Sequence, residues 1–402
     1  MIALELCKQL IAIPSVGNQH GEGPAVQFAR NFLETIPGAK ISILEGKPGR
    51  PNLLCTLGGE TAGPALMIAG HVDVASVAGQ PWKTDPFTAV SRDGRLYGRG
   101  ASDAKSGVAA AMQVMAELGM AWCKRSGSLT LVLSADEDSE GRWGLPWLAA
   151  SNHLHADAAI VVSPAGEHTD FDGIPLSSRG YANARVEVAC GEGGYTWSYQ
   201  PTAPHAVAIA CRLLGQLEHA FRPSPQRHAL YPAGSTVTAG SVFRGGEQEG
   251  VIPTSASFSV ECRTLPGTTA AVFFEEMQAF VSAHAQGARA RAVQADWMWS
   301  GGWGEGCDLS ASHPLALAAS DAVHRVTGSN AGHVGFPMFS EAACIAALGI
   351  PTLPALGPGT WRAAHATDEC VNEQGLEHGA AILRRVVDQC LLPATALPRR
   401  SV

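Results

Sequence analysis

The sequence predicts an α/β protein in which a mostly parallel sheet is flanked by helices and interrupted by an inserted two-layer α+β domain. In residues 1–178, short continuous apolar runs alternate with stretches of helical periodicity, as is typical of doubly buried strands joined by helices. In residues 179–298, apolar and polar residues alternate, as in antiparallel strands with one exposed face. The first pattern returns in residues 299–402, so we expect this part to complete the first domain.

Elements of the first part follow from the N-terminus. Helical spacing predicts a helix at the N-terminus, a second over residues 23–33 and a third that begins just after Asp103. Apolar runs bounded by Pro and Gly predict strands over residues 39–44, 52–57, 65–69, 129–133 and 158–162. Residues 76–97 are predicted to form a loop and a short hairpin that turns at residues 92–95.

The remaining elements divide between the insert and the C-terminal part. Alternating patterns predict strands over residues 185–189, 236–242 and 255–263, with helices over 206–217 and 270–284. Helical periodicity then predicts helices over residues 315–326 and 373–390.

Composition excludes several classes of function. A formal charge of −8 and a pI near 6.0 argue against binding of nucleic acid or of an anionic membrane surface, because both need clustered positive charge. The N-terminus lacks the pattern of a secretion signal, and the apolar runs are shorter than the roughly 18 residues of a membrane span. We therefore expect a cytoplasmic protein, with its ten scattered cysteines mostly buried as free thiols.

Residues of types that can bind metals stand at the ends of three segments of the first part. His71 ends the first, Asp103 follows a glycine-rich stretch, and Glu137 and Asp138 follow the strand over residues 129–133. In open α/β sheets, ligands bind outside the carboxyl ends of the strands, so these groups can meet. Imidazole with carboxylates suits Zn²⁺, Mn²⁺ or Co²⁺. Because neighbouring residues at a strand end point in opposite directions, Glu137 and Asp138 are expected to have different roles.

Four motifs occur in the order and spacing of one known family. They are Gly70-His71-Val72-Asp73-Val74, Gly98-Arg99-Gly100-Ala101-Ser102-Asp103-Ala104-Lys105, Asp136-Glu137-Asp138, and Gly357-Pro358-Gly359 followed by His365 and Asp368-Glu369. Together they resemble the M20 metallopeptidase and amidohydrolase family, which includes acetylornithine deacetylase, succinyl-diaminopimelate desuccinylase, carboxypeptidase G2 and peptidase T. The resemblance implies a zinc-peptidase-like catalytic domain, an inserted dimerisation or lid domain, and a homodimer.

The resemblance also implies a set of metal ligands. Asp103 would bridge two metal positions, with His71 on one and with Asp138 and His365 on the other. The family usually has an acidic residue where this chain has Ser163, so the position shared by His71 and Asp103 lacks its third protein ligand. We therefore expect one tightly bound ion and a second, weaker one, unless Glu167 reaches in from the next loop.

Further roles are implied for residues beside the metal ligands. Asp73 would accept a hydrogen bond from His71 and so orient its imidazole. Glu137 would be the general base that takes a proton from metal-activated water. A cis peptide bond is implied after Asp103.

Substrate binding is implied for four residues, one of which departs from the family pattern. They are Arg263, Tyr195, Trp197 and Gly359, and Arg263 suits a substrate carboxylate. Tyr195 stands where a family variant has a histidine that reaches the partner's active site, and a phenol carries no positive charge near neutral pH.

The sequence predicts a metal-dependent hydrolase of a C–N bond, with a small peptide or an N-acyl amino acid as the expected small-molecule substrate. One alternative is a hydrolytic deaminase of a small aromatic amine, suggested by the altered metal position and by Tyr195 and Trp197. Another is a non-catalytic binding protein whose metal site has decayed, but the presence of Glu137 counts against it.

Overall fold

The structure is a computed structural model that describes residues 2–19, 21–58, 62–120, 122, 126–191, 205–295 and 299–391. Tyr195 and Trp197 lie outside the described residues. Across the part of the chain that is described, no helix combines the length and the apolar character needed to cross a bilayer.

Nineteen strands and ten α-helices lie in the described residues. The strands are β1 Lys40–Glu45, β2 Pro51–Gly58, β3 Ala65–His71, β4 Val90–Arg92, β5 Arg95–Tyr97, β6 Ser128–Ser134, β7 Ala158–Val161, β8 Pro164–Gly166, β9 Gly173–Ser178, β10 Gly180–Ala189, β11 Thr236–Gly245, β12 Ser255–Thr264, β13 Arg289–Gln294, β14 Trp303–Gly304, β15 Cys307–Asp308, β16 Gly332–Phe336, β17 Thr352–Leu353, β18 Gly357–Thr360 and β19 Cys370–Asn372. The helices are α1 Ile2–Ile11, α2 Glu22–Leu33, α3 Lys105–Gly119, α4 Leu145–Ala150, α5 Ala206–Ala220, α6 Ala270–His284, α7 Trp299–Gly302, α8 Pro314–Thr327, α9 Ala342–Ala346 and α10 Glu373–Leu391.

The chain divides into two compact units. The first comprises the described parts of Met1–Ser178, Cys307–Phe336 and Ser340–Val402, and the second those of Arg179–Gly306 and Pro337–Phe339. The second unit ends eight residues later than the predicted limit at residue 298 (306 − 298 = 8), because β14 pairs with β10. The sequence does not predict β14, because a strand of two residues, Trp303 and Gly304, is too short to show an alternating pattern.

The first unit contains a six-stranded mixed sheet in the order β1-β2-β6-β3-β7-β17. The pairings β6/β3, β3/β7 and β7/β17 are parallel, whereas β1/β2 and β2/β6 are antiparallel. The predicted α/β class is therefore confirmed, and the parallel half of the sheet holds the strands that end near the predicted ligands. Six of the seven residues of β3 are buried on alternating faces, as in a strand covered on both sides.

Helix α3 forms much of the core behind this sheet. Its apolar residues, including Val108, Met112 and Met115, are fully buried, and it packs against α1, α10 and β3. Three consecutive alanines, 109–111, let neighbouring elements approach closely. The helix begins directly after Asp103-Ala104 and so fixes the position of Asp103 at one end of the core.

The second unit is the predicted two-layer α+β structure. Its sheet runs β11-β12-β10-β13, and all of these pairings are antiparallel. Apolar side chains on one face, among them Val186, Phe258 and Val260, form a buried cluster with α5 and α6. On β10, Arg185 and Glu187 alternate with these and are less buried. Helix α6 has the predicted bounds, and Thr269 caps its N-terminus through a hydrogen bond from Val272 N.

Candidate metal centre

The ends of β3 and β6 bring the predicted ligands to one edge of the sheet. His71 is the last residue of β3 and pairs in parallel register with Ser134, the last residue of β6. The chain leaves β6 through Asp136, which has a left-handed backbone (φ 66°), and continues to Glu137 and Asp138. The left-handed backbone of Asp136 ends the extended course of β6, so Glu137 and Asp138 lie in a tight turn.

Asp103 lies between two imidazoles. Its Oδ1 is 3.3 Å from Nε2 of His71, and its Oδ2 is 3.5 Å from Nε2 of His365. The same nitrogen of His365 is 3.0 Å from Oδ1 of Asp138. The cis peptide bond expected after Asp103 is present between Asp103 and Ala104. The structure thus brings together the four side chains that the resemblance implies as metal ligands.

These groups fit a divalent cation. Oδ2 of Asp138 is buried and has no hydrogen-bond partner, so it is free to bind one. Ligand atoms of His71, Glu137 and Asp138 also lie within 4.8 Å of one another. Two imidazoles with several carboxylates form a donor set suited to zinc, manganese or cobalt.

In the metal-free protein, hydrogen bonds between imidazoles and carboxylates shift the pKa values of His365 and Asp103. Partial desolvation favours the neutral imidazole of His365, whose side chain is 51% exposed, but the hydrogen bonds to Asp103 and Asp138 outweigh it and raise its pKa to about 11. Burial acts against the ionised form of Asp103, yet the hydrogen bonds from His365 and His71 lower its pKa below the usual range. Asp103 is therefore an anion between two imidazoles.

Burial raises the pKa of Glu137 well above its usual range. The charge of His71 opposes this shift, and the charges of Asp138, Glu341 and Asp103 add to it. The position of Glu137 beside ligand atoms of His71 and Asp138 is what suits it to the role of a general base.

Asp73 contacts the acidic turn more closely than it contacts His71. Nδ1 of His71 lies 3.1 Å from the main-chain carbonyl of Asp73 and 3.6 Å from its carboxylate. The carboxylate instead accepts the main-chain N–H groups of Glu137 and Asp138 at 3.0 and 2.8 Å. The main-chain carbonyl of Asp73 is the closer acceptor for His71, and its carboxylate also lies within ion-pair distance of the imidazole. Orientation of His71 by this carboxylate stays a prediction, while the same side chain positions the backbone of the next two acids.

A buried ion pair holds the Asp103 loop against the segment of His365. Glu369 accepts the main-chain N–H groups of Gly100, Ser102 and Asp103 at 2.8–3.0 Å, as well as Nη1 of Arg99 at 2.7 Å. Arg99 lies within 3.4 Å of the carbonyl oxygen of His365. The Gly98–Asp103 motif and the closing motif are thus one structural unit.

Neither Ser163 nor Glu167 is an evident third ligand for the predicted weak metal position. Ser163 is half-buried, and its carbonyl accepts the N–H of Gly357. Glu167 pairs with Arg362 at 2.6 Å, which gives its carboxylate a cationic partner on a partly exposed loop. A role for either residue in metal binding stays a prediction.

The described substrate-binding residues have other neighbours in the structure. Gly359 is buried with φ 96°, donates its N–H to Asp170, and leaves no room for a Cβ beside Ser102. Arg263, in the second unit, pairs with Glu261 at 2.9 Å and lies 4.8 Å above the ring of Tyr181. Substrate contact at these residues, and at Tyr195 and Trp197, stays a prediction.

Sequence reasoning missed the buried acid Glu341. Its Oε2 accepts the hydroxyl of Ser134 at 3.1 Å, and its Oε1 is buried without a partner. Burial raises its pKa to about 8, against the opposing charge of His71. The available signal was weak, since Glu341 is the one charged residue between Gly335 and Ala346.

The α/β scaffold and the convergent imidazoles and carboxylates define a metal-dependent hydrolase of the peptidase and amidohydrolase class. Residues 67–389 match peptidase family M20/M25/M40, and the chain belongs to this family.

Two curated relatives are named succinyl-diaminopimelate desuccinylase. The one from Gluconacetobacter diazotrophicus is 32% identical over 266 residues, which cover 65% of this chain and 67% of that protein. The one from Anaplasma marginale is 27% identical over an alignment that covers 96% of both chains.

A solved Bacillus subtilis structure, described as a dinuclear metal binding peptidase from the M20 family, has the same fold. It matches with a TM-score of 0.71 and 15% sequence identity, and the match covers 96% of each chain.

Proposed function

We propose that this protein hydrolyses the amide bond of a small N-acyl amino acid or peptide, with His71, Asp103, Asp138 and His365 holding the divalent metal and Glu137 as the general base. The observation that carries the proposal is the position of Asp103 between two imidazoles, with an unpartnered oxygen of Asp138 beside them. An anion shared by two imidazoles suits a bridging ligand.

A divalent cation held by these residues supplies Lewis acidity, which polarises an amide carbonyl and lowers the pKa of water. Glu137 takes the proton of the attacking water and passes it to the leaving nitrogen, so that an amine departs. Asp73 keeps Glu137 in place by accepting its main-chain N–H.

The names of the relatives support an N-acyl amino acid as the substrate class, because a desuccinylase removes a succinyl group from an amine. Such a substrate has at least one carboxylate. Arg263 is the proposed partner for it, since its guanidinium is about one-third exposed. We also propose that the protein acts in the cytoplasm.

The test is an activity screen of metal-depleted protein reloaded with Zn²⁺, Mn²⁺ or Co²⁺. N-succinyl and N-acetyl amino acids, dipeptides and aromatic amines are supplied as substrates, and both products are measured. Release of an amine and a carboxylic acid in equal amounts supports the proposal. Release of ammonia from an aromatic amine, with no acid produced, would support the deaminase alternative instead.

We further propose a homodimer formed through the second unit. Strand β11 pairs with β12 on one side, and no pairing on its other side is seen among the described strands. Val242 and Phe243 on this strand are 43% and 37% exposed. An edge strand with exposed apolar side chains suits pairing across a two-fold axis.

A further inference from the structure

The turn that presents Glu137 and Asp138 is built around the carboxylate of Asp136. One oxygen of Asp136 accepts the hydroxyl of Ser139 and the N–H of Glu140. The other accepts the N–H groups of Arg142 and Trp143 at 2.9 and 3.0 Å. Asp136 is fully buried, so the turn over residues 136–143 depends on a desolvated anion.

Arg50 provides the positive charge for this anion. It is 1% exposed, its Nη1 lies 3.3 Å from Oδ1 of Asp136, and the same nitrogen donates to Ser139 Oγ at 3.1 Å. It also donates to Oε1 of Glu22, the first residue of α2, which is fully buried. A buried carboxylate without such a partner would be strongly destabilising.

Asn52, two residues after Arg50, holds both ends of the same turn. Its Oδ1 accepts the N–H of Ala135 at 3.0 Å, and its Nδ2 donates to the carbonyl of Trp143 at 2.8 Å. The start of β2 therefore contacts the turn at its entry, its centre and its exit.

Asp73 contacts this turn as well. Its carboxylate accepts the N–H groups of Glu137 and Asp138, as described above. A Cβ added at Gly17 would lie 2.6 Å from Asp73 Oδ2 and 2.8 Å from Ser139 Oγ, so the N-terminal segment packs against both. With contacts from Asp73 and from Arg50, the backbone of residues 136–139 has little freedom to move.

We propose that Arg50, paired with Glu22, is a positioning residue that sets the place of the Asp138 carboxylate and of Glu137 by anchoring Asp136. In this proposal, Arg50 and Glu22 do not themselves contact substrate or metal. The inference rests on the proposed function for the roles of Asp138 and Glu137. Its main test is metal affinity, which is measured without any substrate.

The experiment compares Arg50→Met with Arg30→Met. Arg30 lies on α2 as Glu22 does, but its ion pair with Glu34 is exposed on both sides. Dissociation constants for Mn²⁺ and Zn²⁺ are measured by chelator competition, together with thermal unfolding and, on an active substrate, kcat and KM.

We expect Arg50→Met to weaken metal binding about 10–100-fold, as is common when an outer partner of a metal ligand is lost. We expect kcat to fall with little change in KM, and Arg30→Met to match the unmodified protein. A folded Arg50→Met with unchanged metal affinity and kcat would overturn the proposal.

A second variant covers the case in which Arg50→Met does not fold. The double variant Glu22→Gln/Arg50→Met removes the two opposite charges together, so Glu22 is not left as an unpaired buried anion. We expect the same loss of metal affinity in it. If the double variant also fails to fold, the pair is needed for folding itself and the positioning role is overturned. Failure to find any amide substrate would count against the proposed function and leave the metal-affinity result intact.

Discussion

The carboxylate of Asp73 accepts the main-chain N–H of Asp138 at 2.8 Å, so one buried acid positions the backbone of another. We predict that Asp73→Asn lowers the free energy of unfolding by about 1–3 kcal/mol, because an amide has one acceptor oxygen for two N–H groups. Urea denaturation of the metal-free protein measures the change. Asp93→Asn, at an exposed turn where Asn is well tolerated, is the matched control and should have no effect. Equal stability of the two variants would contradict the prediction.

Glu137→Gln should abolish most turnover while leaving the metal content unchanged. The substitution removes a proton acceptor but keeps the shape of the side chain, and loss of a general base commonly costs about 10²–10⁴-fold in rate. The turnover rate and the metal content are measured on the same sample of the variant. Because Glu137 lies within 4.8 Å of ligand atoms of His71 and Asp138, a fall in bound metal would instead identify it as a ligand.

Ser163 leads us to predict about one tightly held ion per chain after extensive dialysis. In the proposed arrangement, His71 and Asp103 would supply two protein ligands to their position, whereas Asp103, Asp138 and His365 would supply three to the other. Ser163→Glu should raise the number of tightly bound ions toward two, while Ser163→Thr, which adds no charge, should not. Two ions retained by the unmodified protein would show that another carboxylate completes the site.

Metal binding should release a proton from His365 at neutral pH. Its pKa of about 11 in the metal-free protein means that the imidazole is protonated at neutral pH. An imidazole must be neutral to bind a metal. Apparent metal affinity should therefore rise with pH, by up to about tenfold per pH unit for one proton. Calorimetry in buffers of different ionisation enthalpy measures the release, and a binding enthalpy that is independent of the buffer would refute it.

The raised pKa of His365 should make the free energy of unfolding of the metal-free protein fall with pH, whereas metal affinity rises with pH. Because the pKa of His365 is raised on folding, its contribution is complete below about pH 6.5 and is lost as the pH rises toward 11. We predict a falling thermal midpoint for the metal-free protein across this window. His365→Gln, which does not titrate, should make this dependence less steep, and the raised pKa values of His71 and Glu341 account for the slope that remains.

The proposed dimer predicts that sedimentation at micromolar concentration gives twice the mass of one chain. Val242→Lys places a charge on the exposed edge strand β11 and should shift the equilibrium toward the monomer. Leu317→Lys, at a residue that is 55% exposed on α8 in the first unit, is the control and should leave the dimer intact. A monomeric unmodified protein would rule out the proposal.

Local patterns in the sequence predicted individual secondary-structure elements in both units. The bounds of α6 and the hairpin of β4 and β5 follow from helical spacing and from Asp93-Gly94, since both signals are confined to neighbouring residues. The motifs also predicted that His71, Asp103 and Asp138 lie in one cluster, because the carboxyl ends of the strands in an α/β sheet meet at one edge. His365 was added to this cluster by the family resemblance alone.

The contacts around that cluster could not be predicted in the same way. Glu341 meets Ser134 across 207 positions, and Arg50 meets Asp136 across 86 (136 − 50 = 86). A single charged residue gives no sign of its distant partner, since periodicity indicates which face of an element is buried and not which residue that face contacts. The hydrogen bonds that the Asp73 carboxylate accepts from the N–H groups of Glu137 and Asp138 could not be predicted either, because the tight turn depends on the left-handed backbone of Asp136.

The bond network of Glu369 has a consequence for biosynthesis. This residue fixes the backbone of Asp103 although it is made 266 residues later, and His365 is made almost as late. Domains fold as they leave the ribosome, so β3, α3 and β6 are synthesised long before the Asp103 loop has its final partners. A nascent chain that stops before residue 365 contains His71, Asp103 and Asp138 but lacks the second imidazole. We therefore expect the proposed ligand set to be complete only at the end of synthesis, after β19 and α10 have joined the first unit.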